Sequence, residues 1–232
     1  MVQLANQLLE RLPARTRSAL TRQLVPVSLD AGQLLYEELI EQHFVYFPIA
    51  GVVSFLLVMA SGASAEVGMV GREGLVGLAP VLGGKAASDR AVVQVAGAAW
   101  RMEAGELRQR VLVDRRLAAM LAQYAQAFLA QVAHTAVCNR LHNIKQQFCR
   151  WILMTLDRTG SGDFRMTQQA IANVLGTRRE SVSAIASQLA EAGAIDYWRG
   201  TLRVIDRRVL AASACECYGQ LKDQTRRLLD FG

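Results

Sequence analysis

Two adjacent arginines and a glutamate follow Gly176, and their side chains have the chemistry to bind nucleic acid. An arginine can pair with guanine through two hydrogen bonds, and a glutamate can accept a hydrogen bond from cytosine N4. These residues, Arg178, Arg179 and Glu180, stand where a helix is predicted to begin. Two cations are unfavourable there in an isolated helix, because the helix dipole is positive at its N-terminus. Their placement therefore indicates binding rather than helix stabilisation.

Two short amphipathic helices flank this glycine. Thr167 is a good N-cap for the first helix, Gly176 suits a left-handed turn after it, and Thr177 with Glu180 matches a capping box for the second. The apolar stripes comprise Ile171, Val174 and Leu175 in the first helix and Val182, Ile185, Ala186 and Leu189 in the second. The pattern predicts a helix-turn-helix, whose second helix enters the major groove of DNA. The competing interpretation is an ordinary helical hairpin with solvent-exposed arginines.

A β-hairpin is predicted directly after the second helix. The run AIDYWRGTLRVID reads as strand, tight turn at Arg199-Gly200, and strand, which makes a winged helix-turn-helix. The basic excess of the chain also lies in this part: residues 1–137 hold 12 Lys and Arg against 11 Asp and Glu, whereas residues 138–232 hold 14 against 9. A local basic excess indicates either a polyanionic partner or a solvated basic surface.

The cysteines and histidines could in principle bind a metal ion. His134, Cys138 and His142 are spaced by four and share one helix face, but such residues more often serve packing. Cys215 and Cys217 lack the two-residue gap of a zinc knuckle. We therefore expect no metal site, and the absence of cysteine before Cys138 argues against a disulfide framework.

The chain is predicted to have an α+β fold in three parts. Two short helices broken at Pro13 precede several short strands, which suggest an antiparallel barrel or roll, and helix resumes near Gly105 and runs to about Arg158. The expected domains are a β-roll sensor with N-terminal helices at 1–110, a dimerisation helix at 111–138 and a winged helix-turn-helix at 139–232.

An uncharged segment at residues 117–137 is long enough to span a bilayer. Its glutamines and His134 would be costly in lipid, and its larger residues recur at steps of four and three, as in a coiled coil. We predict a helix that pairs with its symmetry mate through a dimer seam. The seam residues are Leu117, Leu121, Tyr124, Phe128, Gln131 and Thr135.

The order of roll, long helix, helix-turn-helix and wing resembles the family of the cAMP receptor protein and the fumarate–nitrate regulator (Crp/Fnr). The run T-Q-Q-x-I-A-x-x-L-G-x-x-R-E-S-V-S carries the most specific part of the resemblance. The resemblance implies a cyclic-nucleotide-binding-like roll and a homodimeric transcription regulator. Its implied partners are double-stranded DNA with a near-palindromic operator and RNA polymerase.

The resemblance also implies which residues contact DNA. Arg179 and Glu180 match a pair that reads base edges, and Thr167 matches a position that holds a phosphate at the start of the first helix. Ala184 departs from the arginine of many members, so the operator is expected to differ from the usual half-site. The full predicted set is Thr167, Gln168, Gln169, Arg178, Arg179, Glu180, Ser181, Ser183 and Arg199.

The residues at the effector pocket implied by the resemblance do not have the spacing found in cAMP-binding members. In cAMP-binding members a Gly-Glu pair precedes an Arg followed by a small residue; here Arg72 follows Gly71, and Glu73 comes one place late. Arg90-Ala91 resembles the phosphate pair after a longer segment. We do not expect cAMP as the effector, and another nucleotide, a small apolar effector or no effector remain open. In a vestigial pocket, Glu73 and Arg90 would pair with each other.

Two metal cofactors known from such sensors are not expected. An iron–sulfur sensor of the fumarate–nitrate type needs a cysteine cluster near the N-terminus, where this chain has none. A haem sensor needs axial ligands in or beside the roll, where His43 is the only histidine before His134.

No G-x-S-x-G, Walker or H-E-x-x-H motif is present, so we expect no enzyme. The alternative function is a ligand- or metal-sensing module whose winged helix binds a protein partner. Salt dependence separates the two functions, because each phosphate contact with DNA releases counterions. The N-terminus lacks the apolar core of a signal peptide, and we expect a cytoplasmic protein.

Overall fold

The computed structural model describes residues 5–229. The first four residues of the predicted sensor domain and the last three of the predicted C-terminal domain, 1–4 and 230–232, lie outside this range. Helices α1 (Gln7–Arg11) and α2 (Ala14–Thr21) open the chain, which confirms two short helices broken at Pro13. Asn6 caps α1 and is fully buried, and its side-chain amide donates to the carbonyl oxygens of Pro48 and Gly74 at 2.8 and 2.9 Å. These bonds attach the N-terminal helices to the sheet that follows.

Five antiparallel strands form the N-terminal roll. They are β1 (Val25–Leu29), β2 (Leu34–Tyr36), β3 (Phe44–Val58), β4 (Ser64–Val70) and β5 (Arg90–Glu103). The strand order is β1-β5-β3-β4, and β2 also pairs with β5. The buried core of the roll includes Phe47, Val53 and Leu75, which explains the many short apolar runs of the sequence.

Strands β3 and β5 are longer than the sequence predicts. Ala50-Gly51, whose composition suggests a turn between two strands, is instead a bulge within β3, where the register against β5 shifts, and Gly51 has φ +86°. On β5, a Cβ added at Gly97 would lie 2.2 Å from the Ala50 carbonyl oxygen, so only glycine fits this close approach. These glycines bend two continuous strands and do not separate four short ones.

Three consecutive helices connect the roll to the C-terminal domain: α3 (Ala104–Val113), α4 (Arg115–Leu141) and α5 (Ile144–Thr159). Asp114 caps α4, and Asn143 with Gln146 forms a capping box at α5. The long helix thus runs over 115–141, whereas the sequence predicts 111–138, and the bend lies at His142-Asn143. Among the described residues, no helix is long and apolar enough to cross a membrane.

The C-terminal domain combines helices with a small sheet. Its elements after α5 are β6 (Asp163–Arg165), α6 (Gln168–Leu175), α7 (Arg179–Glu191), β7 (Ile195–Trp198), β8 (Thr201–Val204), α8 (Arg207–Ser213) and α9 (Cys217–Leu229). The strand order is β6-β8-β7. The core of this domain includes Phe148, Trp151, Ile171 and Val182, so the predicted apolar faces of both short helices are buried.

The predicted dimer seam faces the protomer's own roll, which corrects that prediction. The Tyr124 hydroxyl donates to the Leu75 carbonyl at 2.8 Å, and the ring of Phe128 meets Phe55 edge-on with ring centroids 4.8 Å apart. Gln131 forms two hydrogen bonds with the backbone of Met69, at 3.0 and 3.1 Å. The other three seam residues are also buried within the protomer: Leu117, Leu121 and Thr135. The apolar side chains of this stripe are therefore buried in the core of the roll and are not available to a second protomer.

The opposite face of α4 is exposed and follows the same coiled-coil spacing. Its residues recur at alternating steps of three and four: Ala119, Ala122, Gln126, Leu129, Ala133 and Ala136. Leu129 is 65% exposed, although it lies next to the half-buried Phe128. The helix therefore has two stripes of residues with heptad spacing: one packs against the roll, and the other is exposed on the surface of the protomer.

The roll and the C-terminal domain share a buried contact. Val52, Met69 and Val95 of the roll join the apolar core of the C-terminal domain. Beside them, the carboxylate of buried Glu66 on β4 accepts a hydrogen bond from the Trp151 indole of α5 at 3.3 Å. The two domains therefore pack as one body around α5.

Candidate nucleic-acid interface

Helix α7 begins one residue later than the capping-box pattern predicts. Its N-cap is Arg178, which makes no side-chain cap hydrogen bond. Thr177 instead closes α6: Gly176 has φ +61°, and the Thr177 amide donates to the Ala172 carbonyl at 3.0 Å. The expected Thr177–Glu180 capping box is therefore wrong, because Thr177 is used by the preceding helix. The first turn of α7 keeps amide groups that no side chain caps, which favours an anion there.

The charged residues at this helix start are all on the surface. Arg178, Arg179 and Glu180 are exposed, and Ser181 and Ser183 are half-buried. Within residues 5–229, neither arginine forms an ion pair with a carboxylate. The two guanidinium groups and the uncapped amides thus present positive charge at one tip of the domain.

The start of α6 presents further polar groups. The Thr167 hydroxyl accepts a hydrogen bond from the Ala170 amide at 3.1 Å, as expected of the N-cap, and its own proton remains available to an acceptor. Gln168 is half-buried, and the exposed Gln169 bonds Asn173 within the helix at 2.9 Å. The predicted residues of α6 and α7 are thus at the starts of two adjacent helices.

The wing carries an aromatic residue that the sequence reasoning missed. The Arg199 guanidinium lies 4.3 Å from the centre of the Trp198 ring, and Trp198 is 63% exposed. Arg199 and Gly200 both have positive φ, at 49° and 76°, which fits the predicted tight turn. The Tyr197 hydroxyl donates to the Met166 carbonyl at 2.6 Å and holds the wing beside α6. The sequence could have indicated this residue, because a tryptophan stands directly before the arginine of the predicted hairpin turn.

The sequence of this domain matches a known family. Residues 146–213 match the family model of the Crp-like helix-turn-helix domain, and this range holds α6, α7 and the wing. The segment is a Crp-like helix-turn-helix domain. No curated protein matches the chain significantly.

Several solved structures share the fold of most of this chain. FixK2 from Bradyrhizobium japonicum has 17% identity and TM-score 0.71, covering 83% of this chain and 98% of its own. A CRP-family transcriptional regulator from Thermus thermophilus has 18% identity and TM-score 0.68, covering 81% and 96%. The c-di-GMP-responsive global regulator CLP of Xanthomonas campestris has 13% identity and TM-score 0.67, covering 84% and 100%.

The comparisons confirm the resemblance to the Crp/Fnr family and the α+β fold with an N-terminal roll and a C-terminal Crp-like domain. The chain has the fold of Crp/Fnr transcriptional regulators.

The residues predicted for the effector pocket divide between two places. Arg90 forms an ion pair with Glu37 at 2.9 Å, whereas Glu73 forms one with Arg158 of α5 at 2.7 Å. Ala91 is fully buried in the roll. The alternative of a vestigial pocket in which Glu73 and Arg90 pair with each other is therefore wrong, because Glu73 pairs with Arg158 of the Crp-like domain and Arg90 pairs with Glu37.

A cavity of about 310 Å³ contains part of this predicted pocket. The roll contributes Arg72 and Glu73, whose carboxylate also accepts hydrogen bonds from the Gly71 amide at 3.2 Å. Its other lining residues include Arg158, Tyr218 and Lys222 of the C-terminal part. The Gly71–Glu73 turn thus lies between the roll and the Crp-like domain.

Four side chains with metal-binding chemistry meet at the end of the long helix. The ligand atoms of Cys138, His142, Cys215 and Cys217 lie within 4.8 Å of one another. The sequence predicts no metal site here, because each half of the cluster is incomplete and 72 residues lie between His142 and Cys215 in the chain. His134, which the sequence pattern includes, is not a member of the cluster.

Proposed function

We propose that this protein is a sequence-specific DNA-binding transcriptional regulator that acts as a homodimer under the control of a signal at the roll. The observation that carries the proposal is the exposed, uncapped tip of α7 with Arg178 and Arg179. In a Crp-like helix-turn-helix this tip enters the major groove. A regulator of this kind acts in the cytoplasm, beside the chromosome and RNA polymerase.

The proposed roles divide the predicted residues by chemistry. Arg179 and Glu180 read base edges, because guanidinium and carboxylate groups match guanine and cytosine. Arg178 binds phosphate together with the amides of the first turn, and Arg199 binds phosphate from the wing. The remaining residues position the domain on the backbone or contact bases: Thr167, Gln168, Gln169, Ser181 and Ser183.

The proposed dimer forms through the exposed face of α4. Alanines along this stripe let a second helix approach closely, and Leu129 supplies a large apolar side chain at its centre. Two recognition helices held about 34 Å apart would meet a near-palindrome on one side of the duplex. This face replaces the seam that the sequence predicts.

The proposed signal acts on the contact between the roll and the Crp-like domain. The turn at Gly176 lies against the β3–β4 hairpin, where a Cβ added at Gly176 would be 3.4 Å from the Ala65 Cβ. The Glu73–Arg158 ion pair borders the cavity beside α5. A ligand that fits this cavity in only one arrangement of the domains would shift the population toward that arrangement.

Replacing Arg179 by alanine tests the DNA-binding proposal. We expect a loss of about 1–3 kcal/mol at one base-pair position and relaxed preference there, because one bidentate base contact is removed. The operator is first selected from random oligonucleotides, and affinity is then measured by fluorescence anisotropy on single-base variants. Arg22→Ala, which removes the same charge from an exposed site at the C-terminal end of α2, is the matched control and should leave affinity unchanged.

A salt titration of the same complex separates DNA binding from the protein-interface alternative. The logarithm of the DNA affinity should fall linearly with the logarithm of salt concentration, and Arg178→Ala should reduce the slope by about one. Absence of DNA binding at low salt, or a flat response to salt, would favour a protein partner for the winged helix.

A further inference from the structure

The end of the long helix and the start of the last helix bring together three cysteines and a histidine. Cys138 and His142 lie one turn apart at the C-terminal end of α4. Cys215 and Cys217 flank the junction between α8 and α9. All three cysteines are buried and form a cluster of their own, separate from the two large apolar cores.

Two distances within this cluster are close to those of a tetrahedral metal site, and all four ligand atoms lie within 4.8 Å of one another. The sulfur atoms of Cys138 and Cys215 are 3.5 Å apart, and the Cys217 sulfur is 3.7 Å from Nδ1 of His142. Zinc bound at a Zn–S distance of about 2.3 Å in a tetrahedron places neighbouring sulfurs about 3.8 Å apart. The four ligand atoms therefore need only small side-chain adjustments to surround one ion.

We propose that Cys138, His142, Cys215 and Cys217 bind one Zn²⁺ ion as a closed Cys₃His site. Four protein ligands leave no open position, so the site is structural and binds no substrate. Three sulfurs and an imidazole nitrogen select zinc over the hard cations Mg²⁺ and Ca²⁺, which prefer oxygen ligands.

The other nitrogen of His142 has the partner that a metal-bound histidine needs. Its Nε2 lies 3.1 Å from the Glu216 carboxylate, between the two cysteines in sequence. Donation from Nε2–H to this carboxylate leaves the Nδ1 lone pair free to face the Cys217 sulfur. A carboxylate–histidine pair of this kind orients the ring and raises its basicity toward a metal.

The charge around the cluster also fits a zinc–thiolate site. Three thiolates and a neutral imidazole around Zn²⁺ carry a net charge of −1. Arg150 of α5 is only 4% exposed, and its positive charge acts on all three cysteines. Within the described part of the chain no carboxylate lies at ion-pair distance from Arg150. A buried cation requires compensation; beside the buried Glu66, whose pKa the charge of Arg150 lowers, a zinc–thiolate site of net charge −1 would supply it.

A zinc ion here would join two parts of the chain that meet only in the folded protein. It would connect the C-terminal end of α4, beside the bend at His142-Asn143, to the segment that begins α9. Metal binding would then contribute to folding of the C-terminal segment and set the position of α9 against α4.

Metal analysis of the full-length protein purified with a reductant tests the proposal. We expect one equivalent of zinc per chain, and apo-protein titrated with Co²⁺ should show the visible bands of tetrahedral thiolate coordination. Cys215→Ser and Cys217→Ser should each lose stoichiometric zinc. Cys149→Ser is the matched control, because Cys149 is also a buried free cysteine but lies outside the cluster.

If the serine variants fail to fold, zinc content and cobalt spectra of the wild-type protein still decide whether the site exists. Zinc content well below one equivalent, without tetrahedral cobalt bands in reduced apo-protein, would overturn the proposal. So would full zinc retention in Cys217→Ser. A Cys138–Cys215 disulfide in oxidised protein, combined with failure of the reduced protein to bind zinc, would also overturn it.

Glu216→Gln tests the histidine–carboxylate pair in a variant that keeps all four ligands. We expect zinc affinity to fall by about 10–100-fold, because the imidazole loses its orienting partner. Glu191→Gln removes an exposed carboxylate at the end of α7 and should leave zinc affinity unchanged. Equal zinc affinities for wild type and Glu216→Gln would contradict the assigned role of Glu216.

Discussion

Replacing Leu129 by aspartate is expected to dissociate the homodimer and to weaken binding to a two-half-site operator by about 10²–10⁴-fold. The loss follows because binding of the second half-site is intramolecular in a dimer and bimolecular for separate protomers. Leu129 is 65% exposed, so the protomer itself should remain folded. Sedimentation equilibrium gives the mass, and anisotropy on whole and half operators gives the two affinities.

The neighbouring substitution Phe128→Asp is the matched control, since it places the same charge on the other face of α4. Phe128 packs on Phe55 and lies over Gly68, where an added Cβ would be 2.9 Å from its ring. We expect a loss of about 3 kcal/mol or more in the free energy of unfolding, because a half-buried aromatic side chain is replaced by a charge. A dimeric Leu129→Asp variant with wild-type affinity would disprove the proposed interface.

The second large effect concerns the pH dependence of stability through Glu66. Burial raises the pKa of Glu66 from 4.5 to about 7, although the Ser54 hydroxyl, the Trp151 indole and the charges of Arg150 and Arg158 all act in the opposite direction. Because the folded state holds the proton more tightly than the unfolded state, this contribution is fully present below pH 4.5. It is lost as the pH rises to about 7, and it amounts to about 3 kcal/mol.

Denaturant unfolding of wild type and Glu66→Gln at a series of pH values measures this contribution. We expect the stability of wild type relative to Glu66→Gln to fall between pH 4.5 and about 7 and then to level off, because glutamine does not titrate. Protein concentration is held constant, since dissociation of a dimer adds to the measured free energy. Parallel pH profiles for the two proteins would show that Glu66 titrates normally in the folded state.

Local patterns were sufficient to predict the helix-turn-helix of the Crp-like domain. The apolar stripes of α6 and α7 repeat within one or two turns, and Gly176 and Gly200 mark turns that need positive φ. The capping of α7 could not be read correctly, because Thr177 is next to two helices and the sequence does not say which helix it closes.

The partner of each face of α4 could not be predicted from periodicity. The stripe through Tyr124 and the stripe through Leu129 both have coiled-coil spacing. Which stripe meets the roll depends on the shape of the roll, and that shape arises from contacts distant in sequence. The bulge at Gly51 is a related case, because a glycine beside a small residue marks a turn or a bend equally well.

The cysteine–histidine cluster was missed for the same physical reason. The cluster takes two ligand residues from each of two distant segments, Cys138 with His142 and Cys215 with Cys217, and no local motif joins these segments. Proximity in this case comes from the docking of α9 on α4. The residues of the implied effector pocket also separate in the fold, since Glu73 pairs with Arg158 and Arg90 pairs with Glu37.

The shared core around α5 has a mechanical consequence. Val52, Met69 and Val95 belong to the roll by sequence but pack in the core of the Crp-like domain, and the Trp151 indole donates a hydrogen bond across the same boundary. The Crp-like domain is therefore packed against the roll and is not joined to it by a flexible linker alone. Any change in the relative orientation of the two domains must expose or repack these side chains. Because they share one core, they would repack together, so such a change would be cooperative. The packing of these few buried residues would set the size of the domain movement.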